Sequence, residues 1–347
     1  MIRLSRQFIT DADRDAVLDV ICDNRDIARG GTIRQFESAF ANVVGTKYAV
    51  AVNSGTTALY LACRAAGIGP GDKVGVPAIT FAATANAPLL CGANVKYLDD
   101  GVDAADCTHI IPVWYAGHIH TPTLWVVDAC HALGAMAKDG AKPGCFPAMA
   151  CFSLHPAKQI TCGEGGVVAT NDEAIVRKLR VYRNNGIVYG PSHNPWRYHW
   201  VAASLNFWMS DINAALGLSQ LRRLSRIIDE RRAIAREYWQ HLPDEARSYL
   251  VPDNADLDSF ALFPVLMDFK RIGKTKTQVM FGLLKRGIET QVHYTPLHLQ
   301  PMGGGKRGDL PHAELFYDQE LSLPMHNAMT PDDAKIVCKA LKEVIHG

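Results

Sequence analysis

The chain has 347 residues, nearly half of them apolar, with 36 basic and 35 acidic side chains. That length suits one large and one smaller domain, and a near-neutral charge without a basic block excludes a nucleic-acid or membrane surface as the main partner. No run is long enough to span a bilayer, Met1 to Gln7 lack the core of a signal peptide, and the nine cysteines show neither Cys-x-x-Cys nor zinc-like spacing, so they read as reduced, buried thiols of a cytoplasmic protein.

In chain order, Ala16, Val17, Val20 and Ile21 predict a helix over residues 10–25, broken by Arg29-Gly30-Gly31. A second helix is expected from Ile33 to Val44. An α/β rhythm follows: strand 48–53, the tight turn Ser54-Gly55-Thr56, helix 57–66, strand 74–77, helix 82–91 and strand 95–99. Strand, helix and strand at this spacing imply right-handed crossovers and a mainly parallel sheet. Apolar runs at 109–114, 124–127, 148–152 and 167–169 predict further strands. The links at 100–108 and 116–123 are too short for a substantial crossover helix.

One long amphipathic helix is expected from Ser210-Asp211 to about Leu242. Its charges (Arg222, Arg223, Arg226, Asp229, Glu230, Arg231) read as a solvated face. A second unit then needs a strand at 260–267, a helix at 275–286, a strand at 290–294 and a last helix from Thr330 to Ile345, capped by Thr330. Met302 to Gly308, with four glycines, reads as a mobile loop. The boundary between the units is placed after residue 222: 1–222 for the large domain, 223–347 for the bridging helix and small domain.

Several positions have chemical potential. Lys158 lies in a turn between two strands, after Ser153, His155 and Pro156 and before Gly163, Gly165 and Gly166. A lysine held there can be desolvated enough to present the neutral amine that Schiff-base chemistry needs; an ordinary loop lysine is the plainer alternative. Asp128 ends an apolar strand, at the sheet edge where open α/β folds hold ligands, and suits either a pyridinium partner or a helix cap. His131 is by itself as well read as a core histidine. Asn53-Ser54-Gly55-Thr56-Thr57 opens a helix, whose free N–H groups favour a phosphate. Phe81 fits a stacking ring or the core.

Together these strings resemble the DegT/DnrJ/StrS family of pyridoxal-phosphate sugar aminotransferases. The matching motifs are Asn-Ser-Gly-Thr at 53–56, Thr-Phe-Ala-Ala-Thr at 80–84, Asp-x-x-His at 128–131, Ser-x-His-Pro-x-Lys at 153–158 and Gly-Glu-Gly-Gly at 163–166. Arg-x-x-Gly at 183–186, Asn-x-x-Met-Ser-Asp at 206–211 and Val-His-Tyr at 292–294 complete the order. The strings Thr-Phe-Ala-Ala-Thr-Ala-Asn, Asn-Gly-Ile-Val and Gln-Val-His-Tyr bring it nearest the branch that makes 4-amino sugars for pseudaminic acid.

The resemblance implies fold type I (aspartate aminotransferase-like), a large, mostly parallel α/β domain plus a small C-terminal α/β domain, working as a homodimer with shared active sites. It implies that Lys158 forms the Schiff base and shuttles the proton, that Asp128 pairs with the pyridine nitrogen, and that His131 lies near the ring. Gly55, Thr56 and Ser153 would hold the phosphate, Phe81 would stack on the ring, and Asn206 would reach the neighbouring subunit's phosphate. His293, Tyr294 and His326 would line the sugar site. The implied reaction is ping-pong, from L-glutamate through pyridoxamine phosphate to the C4 ketone of a nucleotide-linked 4-keto-6-deoxy sugar. Rival readings are a transaminase of another small keto substrate and a non-catalytic binding protein on the same fold. Three departures stand out: Trp208 where the family has arginine, Arg29 where it has threonine, and a shortened stretch between Asp99 and Asp128. A dehydrating offshoot carries histidine at the lysine position, so Lys158 argues against that chemistry.

Overall fold

Two helices, α1 (Asp11–Cys22) and α2 (Gly31–Val44), lead into the first strand in this computed structural model, which describes residues 1–22, 26–99, 104–119, 126–145, 148–190, 194 and 196–347. The large domain then alternates β1 (Tyr48–Val52), α3 (Gly55–Ala65), β2 (Lys73–Pro77), α4 (Ala82–Leu90) and β3 (Asn94–Leu98). Short strands β4 (His109–Ile110) and β5 (Val126–Asp128) follow, then β6 (Met149–Ser153) and β7 (Gly166–Thr170). Part of the stretch expected to be a strand at 124–127, and parts of the links at 100–108 and 116–123, lie outside the described residues.

β3, β2 and β4 are parallel, and a parallel bridge from Val113 to Asp128 joins them to β5, itself parallel to β6. β7 departs from the rule and pairs antiparallel with both β6 and β1. A parallel partner for β6 would need a crossover, usually a helix. Residues 154–165 hold none; instead Leu154 N–H bonds Gly165 O and Cys162 N–H bonds Leu154 O, both near 3 Å, so the chain folds straight back. That return carries Lys158.

After α5 (Glu173–Arg183) come the exposed hairpin β8 (Ile187–Tyr189) and β9 (Tyr198–Trp200), then α6 (Asp211–Leu221) and α7 (Leu224–His241). The single helix expected from Ser210 is therefore two. Neither proline nor glycine marks the break; each half answers to different neighbours, α6 to α1 and α2, α7 to the C-terminal helix. Ser210 caps α6, while the Asp211 carboxylate accepts the Gly30 and Ile33 N–H groups at 2.7 and 3.1 Å and so caps α2.

The small domain comprises β10 (Ala246–Ser248), β11 (Phe263–Met267), α8 (Phe269–Ile272), α9 (Lys276–Lys285), α10 (Pro311–Gln319), β12 (Glu320–Leu323) and α11 (Pro331–His346). α7 spans both cores: Leu224, Ile227 and Ile228 pack into the large one, and Ile234, Ala235 and Tyr238 into the small. The expected strand at 290–294 does not form. Gln291 makes one bridge to Ser322, after which side chains of Glu320 and Tyr115 take the His293 main-chain N–H and carbonyl in place of a neighbouring strand. The glycine-rich loop after Met302 is tied down, with Gly305 N–H on His298 O and Gly308 N–H on Glu314.

Two other expectations need correcting. Cys22 and Cys145 are exposed, although none of the nine cysteines is in a disulfide. Arg231 is not on a solvated face but 2% exposed, and burial pulls its pKa down to about 10. Its guanidinium binds Asn327 Oδ1 (2.8 Å), Phe260 O (2.9 Å) and Met325 O (3.2 Å). Removing it strands buried acceptors, each costing about 1–3 kcal/mol. Arg231→Ala is expected to lower the unfolding free energy by about 3 kcal/mol or more, read from urea denaturation; a loss below about 1 kcal/mol would contradict this.

Candidate active site

The strand ends gather one cavity of about 390 Å³. At one end, Ser54 caps α3 by accepting the Thr57 N–H at 3.1 Å, which leaves the Gly55 and Thr56 N–H groups at the open helix terminus. Gly55 is required by packing: a Cβ there would lie 2.7 Å from Ser153 Cβ, at the end of β6. Gly166 is similarly confined, its would-be Cβ 2.1 Å from Ser54 O. The helix terminus and the Ser153 hydroxyl are thereby pressed together, a donor set that fits a phosphate dianion.

Asp128 lies among the strand ends, 5% exposed. Its Oδ2 accepts the Thr84 hydroxyl at 2.7 Å and its Oδ1 the Cys130 N–H at 3.1 Å, and each oxygen keeps a lone pair for a further donor. His131 follows. Its Nδ1 accepts the Ala116 N–H at 3.3 Å, which places the ring hydrogen on Nε2, 3.5 Å from the Tyr294 hydroxyl. Burial, with smaller contributions from the charge of Lys158 and from His293, holds His131 well below the usual histidine range, so it is neutral at pH 7. Burial also raises the Tyr294 phenol, which keeps its proton.

Lys158 enters this cavity from the β6–β7 return. As a residue it is half-buried, because one side of its chain faces the open cavity, but protein surrounds it otherwise. Desolvation lowers its pKa, opposed by Cys130 and Asp128. Among the described residues no ion pair holds its ammonium, whereas its main-chain carbonyl receives the Arg231 guanidinium at 3.5 Å. An amine free to react, a buried carboxylate and a phosphate cradle in one cavity fit pyridoxal 5′-phosphate by their chemistry.

Of the residues named from sequence, Gly55, Thr56, Phe81, Asp128, His131, Ser153, Lys158 and Tyr294 line this cavity. Phe81 is 59% exposed at the mouth, its ring centroid 6.0 Å from that of Tyr294. His293, next to Tyr294 in the chain, is half-buried and outside the lining, its Nδ1 turned to Ser322. Two are not brought in. Asn206 is exposed on a bridge to Asn184, and His326 is buried with Nε2 on Arg3 O (3.1 Å) and Nδ1 on Ala328 N–H (3.2 Å).

Sequence reading missed Thr84, whose hydroxyl orients Asp128, together with Cys130, His155 and Glu164 in the lining. The signal for Thr84 was present: Thr80 and Thr84, four apart at the start of α4, share a hydrogen at 2.7 Å in the interior.

The sequence profile of the DegT/DnrJ/EryC1/StrS aminotransferase family matches residues 8–110 and 120–342. The chain belongs to that family. As a DegT/DnrJ/EryC1/StrS aminotransferase it has the fold-type-I architecture and pyridoxal phosphate as its cofactor. A UDP-4-amino-4,6-dideoxy-N-acetyl-beta-L-altrosamine transaminase of Campylobacter jejuni is 32% identical over 377 residues, 99% of this chain and 98% of its own. GDP-perosamine synthase of Caulobacter vibrioides is 34% identical over 361 residues, 96% of this chain and 95% of its own. Among solved structures, Helicobacter pylori PseC, an aminotransferase involved in the biosynthesis of pseudoaminic acid, superimposes with a TM-score of 0.92 at 27% identity, covering 99% of each chain.

Proposed function

We propose that this aminotransferase moves an amino group from L-glutamate to the C4 ketone of a nucleotide-linked 4-keto-6-deoxy sugar, in two half-reactions at one site. The observation that carries the reading is the shared cavity of Lys158, Asp128 and the α3 terminus. When bound, pyridoxal phosphate supplies an electron sink and a carbonyl carbon that can hold the amino group between donor and acceptor. The Gly55 and Thr56 N–H groups and the Ser153 hydroxyl anchor its phosphate, and Asp128, fixed by Thr84, holds a proton on the ring nitrogen. Lys158 Nζ, whose ammonium form burial disfavours, would take the proton from the amino-bearing carbon and return it on the other side of the reaction. Neutral His131 keeps a hydrogen-bond donor near the ring without adding a charge. Tyr294 faces the acceptor sugar in this reading, and His293, held by Ser322 through Nδ1, would reach it only with Nε2. His326, with both ring nitrogens occupied by main chain, lends that role no support in a single chain.

A homodimer fits two further features. Tyr189, Tyr198, Trp200, Val201 and Leu205 leave an exposed apolar face around the β8–β9 hairpin, and Asn206 beside it is free of its own cavity. A second copy covering that face would carry Asn206 to the other subunit's phosphate. The nine cysteines, none of them in a disulfide, fit the reading of a cytoplasmic protein, and no described helix is long and apolar enough to cross a membrane.

The deciding test is the visible spectrum of the protein loaded with pyridoxal phosphate. The cofactor band should bleach on adding L-glutamate and return with 2-oxoglutarate, and the bleached form should aminate keto sugars in preference to plain keto acids. A band indifferent to glutamate would remove that donor. A preference for keto acids would favour a transaminase of another small keto substrate.

A further inference from the structure

Glu320 opens β12 with no exposed surface, and nothing in the amino-transfer reading uses it. Its two oxygens have separate partners. Oε2 accepts the His293 main-chain N–H at 2.9 Å. Oε1 lies 2.6 Å from Ser322 Oγ, which in turn lies 2.8 Å from His293 Nδ1. Tyr115 donates its phenol hydrogen to His293 O at 2.5 Å, so the residue before Tyr294 is held at both ends of its main chain and at its ring. The other titratable groups facing Glu320 are Lys276 from α9, Tyr115 and Tyr294.

The Tyr115 phenol also lies within reach of the Ser322 hydroxyl, but with its own hydrogen on His293 O the Glu320–Ser322–His293 chain has two hydrogen placements that satisfy every member. With Glu320 ionised, Ser322 gives its hydrogen to Oε1, and the serine oxygen receives one from His293 Nδ1. With Glu320 protonated on Oε1, the carboxyl donates to Ser322, and Ser322 donates to His293 Nδ1. The imidazole hydrogen is on Nδ1 in the first case and on Nε2 in the second.

Resting on the amino-transfer reading above, we propose that Glu320 is a positioning residue whose proton sets the tautomer of His293, and so decides whether its Nε2 accepts or donates a hydrogen bond in the active site. The imidazole itself stays neutral: burial and the charge of Lys158 bring its pKa down to about 4. Burial pushes Glu320 up to about 7, against the hydrogen bonds from Ser322 and His293 and the charge of Lys276, so both placements are populated near neutrality. The folded chain then keeps a proton that the unfolded chain releases. That stabilisation is full below the ordinary glutamate pKa and is lost as pH rises through about 7.

The variant Glu320→Gln makes a sharp test. The His293 N–H claims the amide oxygen, so the amide N–H must face Ser322, and His293 is fixed with its hydrogen on Nε2. Histidine-selective nitrogen NMR, assigned with His293→Gln, should show the Nδ1–H tautomer in the parent protein at about pH 8.5, a shift toward Nε2–H at about pH 6, and Nε2–H throughout in Glu320→Gln. The pH profile of kcat/KM should lose a break near neutrality in the variant, whose melting temperature should gain on the parent's as pH rises. One unchanging tautomer in the parent protein across that range overturns the proposal, even if the variant fails to fold. A chain that transfers no amino group would sink the amino-transfer reading and leave the NMR result to decide on Glu320.

Discussion

Lys158→Ala is expected to lower amino transfer by at least about 10⁴-fold, the upper range for a positioned acid–base group, while the protein folds and still takes up pyridoxal phosphate. The expectation comes from what the side chain does and does not touch. Among the described residues its ammonium has no ion-pair partner and no hydrogen bond, and burial disfavours its charge, so truncation removes a desolvated amine and breaks no such contact. The contact from Arg231 is to the main-chain carbonyl and survives the change. The proposed phosphate cradle of Gly55, Thr56 and Ser153 and the carboxylate of Asp128 are likewise untouched, so the contacts proposed for both ends of the cofactor remain. Circular dichroism and a melting temperature within a few degrees of the parent would show that the fold is intact. Turnover at the parent's rate would overturn the role of Lys158.

How much of this was legible in the sequence depended on whether the cause was local. The strand-turn-helix at Val52 to Thr57 was readable because Ser54 caps the helix with its own side chain, three residues from the N–H it binds. The Lys158 return was readable from Pro156 and the glycines that follow. The antiparallel course of β7 was also implicit there, since no helix fits between β6 and β7. What was not legible came from partners far along the chain. The break between α6 and α7 has no local breaker and arises from two different packing faces. Arg231 looked like one charge in a run of six, and only Phe260, Met325 and Asn327, 29 or more residues away, show it to be buried. The segment ending at Tyr294 has strand-like residues, yet its main chain is taken by the side chains of Glu320 and Tyr115. Tertiary hydrogen bonds overrode local propensity in each case.

Asp128→Asn should separate charge from shape at the other end of the cavity. The amide has the volume of the carboxylate, and the local hydrogen bonds admit it. Its oxygen can accept the Cys130 N–H, while its N–H faces Thr84 Oγ1, which passes its own hydrogen to Thr80 Oγ1, a pair at 2.7 Å in which either atom can donate. Stability is therefore expected to change by about 1 kcal/mol or less. What disappears is a negative charge in a nearly water-free position, where an oriented charge acts on the reacting group far more strongly than it would in water. Paired with Asp128 as proposed, the ring nitrogen would then lose the partner that keeps it protonated, and kcat for the glutamate half-reaction should fall by about 10²–10³-fold. Rapid-mixing measurement of cofactor bleaching by L-glutamate reads this step without the sugar substrate. An unchanged rate would show that the carboxylate charge plays no part at the ring, and Asp128 would then be only the structural anchor of Cys130 and Thr84.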